Sequence, residues 1–148
     1  MPSSAREWLP RAARGAIRLG DVAGAHGDLA ALDELGVHTP RNEAERLAIR
    51  AGLAALEGQA ADALRLFGES LQAFRELGVP FSVAEVTIEM ATVLDPSIPE
   101  VAAAIESARG ILSRLRAQAF LDQLEAVARR QPSPARAEPA RQRDTSPV

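Results

Sequence analysis

Apolar residues recur along this chain at helical spacing. In Arg6–Leu19, Leu9, Ala13, Ala16 and Ile17 fall at i, i+4, i+7 and i+8, one stripe of a first helix, with Arg11, Arg14 and Arg18 on other faces. Gly20 breaks the pattern. Asp21 then stands as the N-cap of a second helix, Asp21–Leu35, carried by Val22, Ala25, Leu29 and Leu32 and ended at Gly36. Pro40 keeps the connection Val37–Arg41 out of a helix, and Asn42 with Glu45 has the spacing of a capping box. The third helix reaches about Glu57 and stops at Gly58. A fourth, Ala60–Leu77, aligns Ala63, Phe67, Leu71 and Phe74 and is closed by Gly78.

Pro80–Leu94 carries two patterns at once. Val86, Ile88, Met90 and Leu94 alternate with Glu85, Thr87 and Glu89 as in a strand, while Ala84, Ile88 and Ala91 suit a helix. A lone strand among helices has no partner for its backbone groups, so the segment is read as helix. Asp95–Glu100 is a turn into another helix start, with Ser97 and Glu100 spaced as a capping box. Val101–Leu115 should bury Ala104, Ala108, Ile111, Leu112 and Leu115. A last helix, Ala117–Arg130, presents Phe120, Leu121, Leu124, Val127 and Ala128, with Arg129 and Arg130 placed to favour its C-terminal dipole. Residues 131–148 are rich in Pro, Arg, Ala and Ser without apolar periodicity, and are expected to be a disordered tail.

Composition supports this picture. The chain is 47% hydrophobic but 3% aromatic, so its apolar mass is mainly Ala and Leu, both strong helix formers. At 148 residues it fits one domain, 1–130, followed by the tail. A net charge of −3 argues against nucleic acid as a partner. No uncharged apolar run reaches the roughly 18 residues of a membrane span, and the N-terminus lacks the apolar core of a secretory signal. A cytoplasmic protein is expected.

Composition also closes off chemistry. Every basic residue other than histidine is arginine, which excludes lysine-dependent phosphate loops and Schiff bases, and the absence of cysteine excludes thiol catalysis and cysteine-ligated zinc. His26 and His38 lack metal-ligand spacing, and they read as surface histidines. Glu85 and Glu89 at i, i+4, and Asp122 with Glu125, read as solvated carboxylates rather than acid–base pairs. No nucleophile motif or dinucleotide loop occurs, and Gly24–Gly27 opens no phosphate loop. No catalytic residue, metal or cofactor is assigned, and no enzymatic activity is expected.

Gly20 and Gly58 close the first helices of two successive pairs, with Ala25 and Ala63 five residues after each, a self-similar helix–turn–helix of solenoid type. Here the chain resembles the tetratricopeptide repeat. Its pattern is met by Leu47, Ala51, Ala54, Gly58, Ala63, Phe67 and Ser70, and again by Leu9, Ala13, Ala16, Gly20, Ala25, Leu29 and Leu32. The third pair matches only at Ala104. The resemblance implies an all-α tetratricopeptide-like solenoid of about three antiparallel helix pairs with a C-terminal cap helix.

The run LxxxEGxxxxALxLFxESLxxFRELGVPF from Leu53, and DPSIPEVAAAIESARGILSRL from Asp95, also resemble the C-terminal repeats of bacterial class III nucleotide cyclase or LuxR-type signalling ATPases. Two roles follow. One is a non-catalytic protein–protein interaction or scaffolding module that binds a protein or peptide. The other is a C-terminal regulatory fragment of such a signalling protein, packed on upstream repeats that would cover Trp8, Leu9 and Ala12, residues that an N-terminal pair without a polar cap would leave partly exposed. The resemblance places Glu45, Ala48, Ile49, Gly52, Ala55 and Leu56 on the groove face of the central pair. These are mostly small and apolar and do not support a carboxylate clamp. Arg14 and Arg18 of the first pair are placed to reach an acidic partner, or to be plain solvated arginines.

Overall fold

The computed structural model describes residues 2–36 and 38–130, so the expected tail at 131–148 lies outside the described residues. Within them are seven helices and no strand: α1 (Pro2–Arg18), α2 (Val22–Glu34), α3 (Pro40–Leu56), α4 (Ala60–Leu77), α5 (Pro80–Val93), α6 (Pro99–Arg114) and α7 (Gln118–Ala128). None of them is long and apolar enough to cross a membrane. Each of α1, α3 and α5 packs against the helix that follows it, and α1, α3 and α5 pack against one another. This arrangement of pairs is compatible with a solenoid-like array.

Several helix ends follow the sequence pattern. Asp21 caps α2 by accepting a hydrogen bond from the Gly24 amide at 2.9 Å. Gly78 closes α4 at φ 70°, a left-handed conformation that a residue with a Cβ adopts only under strain. Two starts differ from expectation. The N-cap of α3 is Thr39, whose hydroxyl accepts from the Asn42 amide, and Pro40 is the first helical residue rather than part of the connection. Proline is accommodated there because the first helical N–H has no intrahelical acceptor. Before α6, Asp95 accepts from both the amide and the hydroxyl of Ser97, which draws Ser97 into a tight turn instead of a capping box.

The ambiguous segment is helical, and packing explains its mixed pattern. As α5 it contacts α3, α4, α6, α7 and α1, so it buries residues around its circumference, from Ser82, Val83 and Ala84 to Met90 and Ala91. A helix covered on most sides loses its polar stripe, and strand-like alternation is then without meaning. Thr87 and Thr92 turn their hydroxyls onto the carbonyls four residues earlier, Val83 and Ile88, which satisfies them inside the helix.

The core divides on α3. Ala44, Ala48, Ala51 and Ala54 face a cluster running through Phe67, Phe74, Val86, Val101 and Leu112 to Leu124. Ile49 and Leu53, on the other side of α3, join Leu9, Ala13, Ile17, Ala25 and Leu32. The small residues of α3 let α4 and α5 approach on one side. On the other, Gly52 admits α1 so closely that a Cβ there would lie 2.8 Å from two carbons of Ile17. Leu115, expected in the core, is 47% exposed because it caps α6 and ends its packed face.

Polar ties reinforce the stack. Arg46, 2% exposed, reaches from α3 to Asp33 and to the Leu32 carbonyl near the end of α2, and also pairs with Glu43. Ser70 donates to the Ala44 carbonyl at 2.8 Å. Arg109 of α6 grips both oxygens of Glu125 on α7. Arg130 donates to the carbonyls of Ala91 and Leu94, so it caps the end of α5 rather than only favouring the dipole of its own helix.

Candidate functional site

A groove of about 890 Å³ is framed by α1, α3 and α5. Trp8, Pro10, Arg11, Arg14 and Arg18 come from α1, Arg41, Asn42 and Glu45 from α3, and Glu85 and Glu89 from α5. The face of α1 that misses the core supplies the arginines: Arg11, Arg14 and Arg18 lie at i, i+3 and i+7, beside the buried stripe of Leu9, Ala13 and Ile17.

A buried ion network forms part of the groove lining. The Nη1 of Arg14 donates to Glu45 at 2.9 Å, and its Nε lies 2.9 Å from the Glu89 carboxylate. All three side chains are at most 10% exposed. One cation therefore joins the first helices of all three pairs. Burial pushes the Glu89 carboxyl above the usual carboxylate range, against the pull of Arg14. Burial alone would lower the Arg14 pKa, but Glu89 and Glu45 outweigh it and raise it, so the guanidinium stays charged. Arg18, with a side chain 57% exposed, reaches Glu89 at 3.8 Å. The Nη2 of Arg14 is buried and has no hydrogen-bond partner among the described residues.

The structure thus separates the residues singled out from sequence. Arg14, Arg18 and Glu45 line the groove. Ile49 and Gly52 are buried where α1 crosses α3, and Leu56 is half-buried against the same cluster, so these three do not line it. Arg14 is not a solvated arginine, and Glu89 is not a solvated carboxylate; both are buried and paired with each other. Trp8 is 53% exposed at the groove, whereas Leu9 is buried at 5%.

The remaining candidates stay apart. His26 lies 3.5 Å from Glu57, beside a smaller recess of about 230 Å³ between α2, α3 and α4. His38 sits 3.1 Å from Glu43, and that hydrogen bond helps hold the Glu43 carboxyl below its ordinary range. Asp122 accepts from Gln118, and Glu125 is held by Arg109. Among the described residues, no three His, Cys, Asp or Glu side chains are grouped to hold a metal ion.

No family model matches the chain, and neither a curated protein nor a solved structure does so.

Proposed function

We propose that this chain is a non-catalytic interaction module that holds a segment of a partner protein in the groove framed by α1, α3 and α5, and that it works in the cytoplasm. The observation that carries this reading is the make-up of the groove. It combines a half-exposed tryptophan, exposed arginines and a floor held in place by a buried ion network. Tryptophan and arginine are the side chains on which interfaces concentrate their binding energy. The floor contains three buried charges, whose desolvation costs energy that apolar packing would not. Three buried charges at the floor fit a surface whose shape and charge are used. From Trp8 to Arg18 the face extends about 15 Å at 1.5 Å per residue, room for four or five residues of an extended segment.

A peptide-display selection on the full chain tests the proposal. Bound peptides should lose binding to a variant in which Arg11 and Arg41, both exposed, are replaced by glutamate, and should keep binding to a variant changed at Arg65 on α4. Selected peptides that are indifferent to the groove substitutions and sensitive to Arg65 would contradict it.

A further inference from the structure

The arginines around the groove fall into two groups. Arg14 is engaged at its floor, with Nε and Nη1 on Glu89 and Glu45 and Nη2 buried without a partner among the described residues. Arg11 and Arg41 are exposed and have no ion-pair partner among the described residues, and Arg18 is exposed with one long contact to Glu89. The groove glutamate that Arg14 does not hold is Glu85, which is half-buried. Among the described residues, the accessible rim therefore presents three cations against one anion, in a chain whose net charge is −3.

The helices set the spacing of these cations. α1 and α3 run side by side in the same direction, since Arg14 meets Glu45 and, further along, Ile17 lies against Gly52. Arg11 is one turn before Arg14 and Arg41 one turn before Glu45, which puts both at the same level of the rim. Arg18 lies about 10 Å further along α1, seven residues at 1.5 Å each. Three residues of a polyproline II segment rise about 9 Å and bring the side chain back to the same face, close to that spacing.

We infer that the groove takes an acidic segment: a peptide in the polyproline II conformation with two carboxylate side chains three residues apart, on one face, and an apolar residue against Trp8. The first carboxylate sits between Arg11 and Arg41, the second at Arg18. An acceptor oxygen brought to the floor relieves the unpartnered Nη2 of Arg14. Nucleic acid fits less well, because a phosphate backbone carries charge at every nucleotide past Glu45, Glu85 and Glu89. This inference rests on the groove reading above.

Trp8 is the sole tryptophan and the chain has no tyrosine, so its fluorescence reports the groove. The probe is a twelve-residue peptide, acetylated and amidated, with two glutamates three apart flanking leucine on a Gly/Ser background. Twins carry glutamine or lysine in place of glutamate, and a thymidine dodecamer is the nucleic-acid control. The glutamate peptide should shift Trp8 emission saturably, and the glutamine twin should bind about tenfold more weakly, the size expected for two partly exposed charge contacts. Added salt should weaken binding of the glutamate peptide. The double variant Arg11→Glu, Arg41→Glu should transfer the preference to the lysine twin, with circular dichroism confirming an unchanged fold. Equal or tighter binding of the glutamine or lysine twin by the unaltered protein would overturn the acidic preference and leave the groove reading standing. Silence with every peptide would overturn the inference, and the display selection then judges the groove reading separately. Response to the oligonucleotide alone would overturn both.

Discussion

Replacing Arg14 with methionine removes the one buried cation of the groove floor and leaves Glu45 and Glu89, 7% and 8% exposed, facing each other without compensation. Removing one member of a buried ion pair typically costs about 3–5 kcal/mol, because the surviving charges remain desolvated. Arg18 at 3.8 Å from Glu89 offsets only part of this, since its side chain is mostly in water. With a urea dependence of about 1–3 kcal/mol/M for a domain of this size, the midpoint at pH 7.5 should fall by about 2 M. The pH dependence follows from Glu89. Its folded-state pKa is raised by burial, so between the ordinary carboxylate range and that raised value the folded chain binds more protons than the unfolded one. Stability therefore falls as pH rises through this window. Without Arg14, the group that draws the Glu89 carboxyl down, the window extends to higher pH. The deficit of Arg14→Met relative to the unaltered protein should be largest at pH 7.5 and shrink towards pH 5. Adding Glu45→Gln and Glu89→Gln should recover most of it. Urea titrations followed by circular dichroism at the two pH values read all of this. A loss below about 1 kcal/mol at pH 7.5, the size of a surface pair, would mean that Arg14 holds no buried network, as would a deficit that grows on acidification.

Two other sites give sharp contrasts. Gly52→Ala should lower stability by about 1–2 kcal/mol, because overpacking against Ile17 outweighs the better helix propensity of alanine. Gly68→Ala, also in a helix but with nothing within 4 Å of the added Cβ, should instead raise stability by about 0.5–1 kcal/mol in the same urea titration. Arg46→Met strips the Leu32 carbonyl and Asp33 of their link to α3, and the melting midpoint should drop by the equivalent of about 1–3 kcal/mol.

Helix positions were legible in the sequence where local chemistry decides them. Glycines at Gly20, Gly36, Gly58 and Gly78 take positive φ at the helix ends, and the periodic residues of α4 are the ones buried. Choices made by tertiary contact were not. The start of α3 went to Thr39 because Pro40 serves as well inside the first turn as before it. The ion network was invisible for a stronger reason: Arg14 and Glu89 lie 75 positions apart, and on α5 alone Glu85 and Glu89 look like an ordinary exposed pair. The available signal was that Arg14, Glu45 and Glu89 each fall on the first helix of a pair, the face that the repeat resemblance turns towards the groove. The same resemblance assigned Ile49 and Gly52 to that face, but α1 covers them, since the closeness of two helices at a glycine is a property of both surfaces.

Hydrogen–deuterium exchange of the full chain, with and without the tightest peptide from the display selection, locates the face that the partner covers. Slowed exchange is expected in α1, α3 and α5, strongest around Arg11–Arg18 and Arg41–Glu45, with α2 and α4 unchanged. Protection confined to α2, α4 or α7 would contradict binding in the groove.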